Sequence, residues 1–411
     1  MKLFSFSKIN LALTVLTIYL LIVINYLITG NIKTLESISP GFIDLDAIIS
    51  SAECYKLNFN PYIDRNDLCK WDYNYPLIWL DVVNFLKINK SHVPIIGISL
   101  IVIFLILFIG MITINSKKEF ILYFFYLISP GVLFLLERSN CDLIIFLIII
   151  TVFVYLRKKI NPNVYNYLIC LTIIFLSFLK IYPIFLLPII FFLNNTLKNK
   201  ILLFVISSFI LLSYFFLIRK QLNLISLNSH YPSELAFGKN VWLQEFLTKN
   251  ELKIVSLIPF ISLFIIIAFI YKKKTTLHHF INDINIKSIE GTLFTSSLLL
   301  YLGIFLIGNH YDFRLIFLSL SFPQISIVYH SNSKYKKMIL LFILSFTFIS
   351  LASFLHRGIL PFQNYKQWFI GRNSIMIIKY IITSFYAAFA FLFIVIHLFF
   401  IDKKQIKLIH I

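Results

Sequence analysis

Continuous apolar runs, most of them long enough to cross a membrane, recur from one end of this chain to the other. They fall near 9–29, 93–114, 120–136, 142–156, 164–179, 182–193, 201–218, 254–271, 292–308, 315–330, 338–355 and 375–400. In lipid every backbone polar group needs a partner within the protein, so unbroken apolar runs imply helices, whereas barrel strands alternate. Only 13% of the 411 residues are charged and 59% are hydrophobic, a balance that excludes an ordinary soluble domain. The expectation is an all-α polytopic membrane protein of about twelve transmembrane helices, a single membrane domain over 1–411 with no soluble catalytic module.

Lys2 and Lys8 precede or begin the first run, and no small-x-small cleavage pattern follows it, so it reads as an uncleaved anchor with a cytoplasmic N-terminus. Counting spans from there puts Lys117–Lys118, Arg157 to Lys159, Lys198 and Lys200, Lys272 to Lys274, Lys334, Lys336–Lys337 and Lys403–Lys404 on the inner side, as the positive-inside rule requires. One long helix over 164–193 would move Lys272 to Lys274 outside, so charge favours two short spans broken at Lys180 and Pro183. Both termini are then cytoplasmic, and the net charge of +19 is mostly a topology signal. Basic residues scattered over short turns make nucleic acid an unattractive partner.

Two outer segments are long enough to have structure of their own, 30–92 and 219–253. Within the first, 45–58 reads as a short interfacial helix with Ile48, Ile49, Ala52 and Leu57 on its apolar side. Cys54 and Cys69 share this loop, where an oxidising compartment permits a bridge, while Cys141 and Cys170 read as packing residues. No Cys-x-x-Cys or His-Glu-x-x-His pattern suggests a metal, and no cofactor is expected. The absence of an obvious internal repeat disfavours transporters built from duplicated halves.

Six polar islands interrupt the apolar text, and all can be placed on the outer face: Asp44-Leu45-Asp46, Asn60-Pro61-Tyr62 with Tyr75-Pro76, Glu137 to Asp142, Lys180 to Pro183, His310 to Arg314, and His356-Arg357-Gly358. Ionisable groups at membrane depth are costly, so a convergent set suggests a site. Asp44 or its competitor Asp46 is a candidate proton acceptor, or a solvated loop acid. Arg138 offers a planar fork for a phosphate, with Glu137 or Asp142 to hold it and Asn140 beside them; the plain alternative is helix capping or an ion-paired hairpin. Lys180, before the proline break and Tyr182, is an anion ligand or a snorkelling lysine. Arg314 is a second candidate phosphate clamp, accompanied by Tyr311, Asp312 and His310. Tyr62, Tyr75, His356 and Arg357 are weaker candidates for holding an acceptor. His230, Glu234, Trp242 and Gln244 are no more specific than any surface loop.

In this order the islands resemble the polyprenol-phosphate-sugar-dependent glycosyltransferases of the GT-C fold, most closely glycosyltransferase family 87, the alpha-mannosyltransferase-like group. The family's first-loop aspartate and following Pro-Tyr correspond to Asp44 and Pro61-Tyr62, and its Tyr-Pro-Pro to Tyr75-Pro76-Leu77. Its Glu-Arg-Gly-Asn-x-Asp turn is similar to Glu137-Arg138-Ser139-Asn140-Cys141-Asp142, its Leu-Lys-x-Tyr-Pro to Leu179 through Pro183, and its Tyr-Asp-Tyr-Arg to Tyr311 through Arg314. Ser139 for Gly and Leu77 for Pro are departures that alter turn geometry. The resemblance implies a GT-C-like bundle whose first outer loop is part of the active site. It also implies transfer of mannose or another hexose from a polyprenyl-phosphate carrier to a glycolipid or cell-envelope glycan, on the outer face of the cytoplasmic membrane. Asp44 is the base in that reading, with Arg138, Lys180 and Arg314 neutralising the departing phosphate and no metal involved. The competing classes are a transporter or flippase of lipid-linked sugars, and a glycan polymerase or ligase.

Overall fold

The computed structural model describes residues 6–29, 41–64, 73–193, 195–228, 236–237, 258–273, 276–307, 310–331, 335–340, 345 and 365–398. Their regular structure is helical, with one two-residue antiparallel ladder, β1 (Ala236–Phe237) with β2 (His310–Tyr311). Five helices are long and apolar enough to cross a membrane: Lys90–Met111, Pro162–Leu179, Leu197–Leu217, Ile289–Ile307 and Ile378–Ile396. Lys117–Leu127 and Gly131–Arg138 add a sixth if this pair, bent by 46°, is one span. Shorter apolar helices at Lys8–Leu21, Cys141–Leu156, Tyr182–Phe192 and Phe260–Lys272 lie on runs the sequence marks. The protein is therefore a helical membrane-embedded protein. Of the other expected runs, 315–330 begins in 3-10 geometry and continues as a helix, and most of 338–355 lies outside the described residues.

The chain divides into two compact units, 1–187 with 201–230, and 188–200 with 231–411. The first unit opens with α1 (Phe6–Thr29), followed by α2 (Ile43–Lys56), α3 (Ile78–Phe85) and α4 (Val93–Met111). α5 (Lys117–Leu127), α6 (Pro130–Arg138), α7 (Cys141–Ile150) and α8 (Pro162–Leu179) follow. Local chemistry sets several of these boundaries. Ser116 caps α5 by accepting from the Glu119 amide at 3.3 Å, and Asn161 caps α8 just ahead of Pro162. Pro130 opens α6, where a missing N–H costs nothing. α8 ends at Leu179 with Lys180 extended, and Tyr182–Phe192 continues in 3-10 geometry, with Pro183 and Pro188 each removing a backbone donor.

Aromatic packing fills the first unit. Phe108 stacks on Tyr126 with ring centroids 5.6 Å apart, and Phe104 meets Phe146 at 5.8 Å. Tyr19 of α1 donates to the Leu127 carbonyl at 2.6 Å. The expected interfacial helix is α2, whose Ile48, Ile49 and Ala52 are buried. Leu57 is a correction: it follows the last helical turn and is 56% exposed, because the helix ends before its side chain can join that face. Cys54 is disulfide-linked, and its expected partner Cys69 lies outside the described residues; Cys141 and Cys170 are free and buried.

α9 (Leu197–Leu217) leads to α10 (Arg219–Asn228). The second unit holds α11 (Ile258–Lys272), α12 (Thr276–Asp283), α13 (Ile289–Ile307), a 3-10 stretch over Asp312–Ser321, α14 (Phe322–Ser331) and α15 (Tyr365–Ile396). α13 is its centre, buried along nearly its whole length and packed on α15 and the 3-10 stretch. Phe294 meets Phe393 edge-on at 5.2 Å, and the Tyr301 hydroxyl donates to the Thr383 carbonyl at 2.9 Å.

Candidate functional site

Four helix ends meet in the first unit, and each contributes one charged side chain. Asp44 stands in the first turn of α2 and Asp142 in the first turn of α7, while Arg138 is the last residue of α6 and Lys180 follows the last residue of α8. Acids at N-termini and cations at C-termini each complement the helix dipole beneath them. The approach to α2 is fixed by backbone: the Phe42 amide donates to the Glu137 carbonyl at 2.7 Å, which brings Asp44 beside Arg138. Phe42 takes a left-handed conformation with φ 61°, and its buried ring lies against Gly97 of α4.

Arg138 grips Asp44 bidentately, donating from Nε at 2.9 Å and from Nη2 at 2.5 Å. Asn140 Nδ2 donates to the same carboxylate at 2.5 Å and to the Tyr75 hydroxyl at 3.1 Å. The Asn140 Oδ1 atom caps α7 by accepting from the Asp142 amide at 2.9 Å, and also accepts from Lys180 Nζ at 3.2 Å. Lys180 Nζ donates to Asp142 Oδ1 at 2.6 Å, where the Tyr182 hydroxyl donates as well at 2.7 Å. Asn140 thus links the two ion pairs. The Tyr75 ring faces Lys180, with Nζ 5.2 Å from its centroid.

A small scaffold of tyrosines stands behind this cluster. Tyr62 donates to the Tyr75 carbonyl at 2.7 Å and Tyr73 to the Pro76 carbonyl at 2.8 Å. Burial pushes the Tyr73 and Tyr75 hydroxyls well above the ordinary tyrosine value, and beside Tyr75 the Asp44 carboxylate adds to the effect. Both phenols therefore stay protonated. Asn228, the last residue of α10, donates to the carbonyls of Tyr62 and Tyr73 at 2.9 and 3.1 Å. Trp79 donates from Nε1 to the Leu179 carbonyl at 3.1 Å, satisfying an acceptor at the end of α8.

The structure thus brings together Asp44, Arg138, Asn140, Asp142, Lys180, Tyr182 and Tyr75, with Tyr62 one bond away. Asp46 accepts from Ser50 Oγ at 3.4 Å. Glu137 is buried, and its carbonyl holds Phe42. Arg138 is gripped by Asp44, 94 residues away, and Lys180 is bound by Asp142. Arg314 is buried in the 3-10 stretch of the second unit. There the His310–Tyr311 backbone pairs with Ala236–Phe237, in the register Phe237 with His310 and Ala236 with Tyr311. Asp312 begins that 3-10 stretch. His356 and Arg357 lie outside the described residues, as do His230, Glu234, Trp242 and Gln244.

Sequence reasoning did not single out Tyr73 or Asn228. Tyr73 is legible in hindsight as part of a Tyr-x-Tyr-Pro string, but nothing local marks Asn228 as a brace. Among the described residues no three His, Cys, Asp or Glu side chains gather so as to hold a metal ion. The chain matches no family model, no curated protein and no solved structure.

Proposed function

We propose that this protein is a membrane glycosyltransferase of GT-C type, with about twelve spans and both termini cytoplasmic. It would transfer mannose or another hexose from a polyprenyl-phosphate carrier to a hydroxyl of a glycolipid or cell-envelope glycan, at the outer face of the cytoplasmic membrane. The observation that carries the reading is the convergence of Asp44, Tyr75, the Arg138–Asp142 turn and the Lys180–Tyr182 break in one cluster, although they lie far apart in the chain. A buried set of two carboxylates, two cations and an amide exceeds what helix packing alone requires.

In the proposed reaction the acceptor oxygen attacks the anomeric carbon as the bond to the phosphate oxygen breaks. The bonding pair leaves with the phosphate, the hydroxyl proton passes to Asp44, and the anomeric centre inverts. Arg138 and Lys180 stabilise the charge that grows on the leaving group. The test is transfer by the purified full chain from a panel of polyprenyl-phosphate sugars. Asp44→Asn is expected to lower the rate by two or more orders of magnitude, about what a general base contributes. Asp46→Asn is expected to cost far less. No transfer from any donor, or full transfer by Asp44→Asn, would overturn the assignment.

A further inference from the structure

Asp44 and Arg138 occupy each other. Both oxygens of the proposed base accept hydrogen bonds, and the fork proposed to hold a phosphate already holds a carboxylate through Nε and Nη2. With that pair intact the bidentate edge of the fork is taken, and one oxygen of the carboxylate already accepts two hydrogen bonds. Building on the glycosyltransferase reading, we propose that the donor's phosphate competes with Asp44 for Arg138. Donor binding would then move the guanidinium onto the phosphate and release Asp44 to act as base, with the donor binding before the acceptor is deprotonated.

Geometry selects this pair over its neighbour. The Lys180 and Asp142 side chains are 8% and 0% exposed, and Tyr182 and Asn140 hold them further. Arg138 and Asp44 are 15% and 9% exposed, so an arriving anion meets them first. Asn140 stays bonded to the freed carboxylate and to Lys180, which makes it a positioning residue that keeps Asp44 in place as its partner leaves.

Charge arithmetic favours the exchange as well. The four charged side chains sum to zero, so a singly charged phosphodiester gains a cation only if a carboxylate gives one up. When Asp44 takes the acceptor's proton, the cluster becomes net positive. That happens as the leaving phosphate acquires its second negative charge, and the total is conserved.

The test uses the detergent-solubilised full chain and an isoprenyl methyl phosphate diester, which carries the donor's charge and chain without a sugar. Asp44→Asn is expected to bind this diester about tenfold or more tightly than wild type, because hydrogen bonds to a charged competitor are removed. Adding Arg138→Gln is expected to cancel the gain. Equal affinity of wild type and Asp44→Asn would overturn the exchange while leaving the glycosyltransferase reading intact. No binding by either, together with no transfer from the donor panel, would overturn both. Infrared difference spectra of wild type with isotope-labelled aspartate test the idea without a variant. Saturating diester is expected to shift a carboxylate band, and an unchanged aspartate spectrum would overturn the proposal.

Discussion

Ser139 joins the two helices that carry two of the four charged side chains, and it does so at φ 45° and ψ 47°. A left-handed conformation costs an L-residue about 1–2 kcal/mol, and glycine avoids most of that while losing more chain entropy on folding. Ser139→Gly is therefore expected to raise stability by up to about 1 kcal/mol, and Ser139→Val to lower it by about 1–2 kcal/mol, read as thermal midpoints in detergent. At this scale the sequence marked polar islands and not which of their side chains meet. Glu137 and Arg138 are adjacent on α6, and neighbours on a helix point in different directions. The left-handed turn at Ser139 then redirects the chain before Asp142. Arg138 was consequently left to pair with an aspartate from another helix, a choice no local pattern records.

Among the elements, α4 has a part in the site although it contributes no charge. A Cβ built on Gly97 would stand 2.7 Å from the Phe42 ring, whose buried position sets the start of α2 and hence of Asp44. Gly97→Ala is expected to cost about 1–3 kcal/mol through overpacking and to lower transfer activity by displacing Phe42. Thermal unfolding and a rate measurement on the same preparation check both effects. The elements themselves were legible where the sequence marked a break, as at Lys180 and Pro183. The bend between α5 and α6 was not, because the apolar run at 120–136 reads straight through Ser129 and Pro130. Hydropathy records solvent, not direction.

For the whole molecule, positive-inside counting makes a sharper claim than helix length does. Single cysteines introduced at the exposed positions 55–60 are expected to react with an impermeant thiol reagent from outside, and those at exposed positions within 272–290 only after permeabilisation. Labelling of 272–290 from outside would divide the proposed site residues between the two faces. Apolar length reveals spans one at a time, whereas the partnership of four helix ends depends on how separate hairpins come together. That partnership also bears on how the protein is made. Asp44 precedes Arg138 by 94 residues and Asp142 precedes Lys180 by 38, so each acid must wait for a cation not yet synthesised. Until the helix ending at Lys180 arrives, the nascent bundle carries unneutralised charge at its core, a state that membrane surroundings strongly disfavour. A chain that stops short of Lys180, or inserts one hairpin the wrong way round, is therefore expected to retain an unpaired ion and to fold less stably.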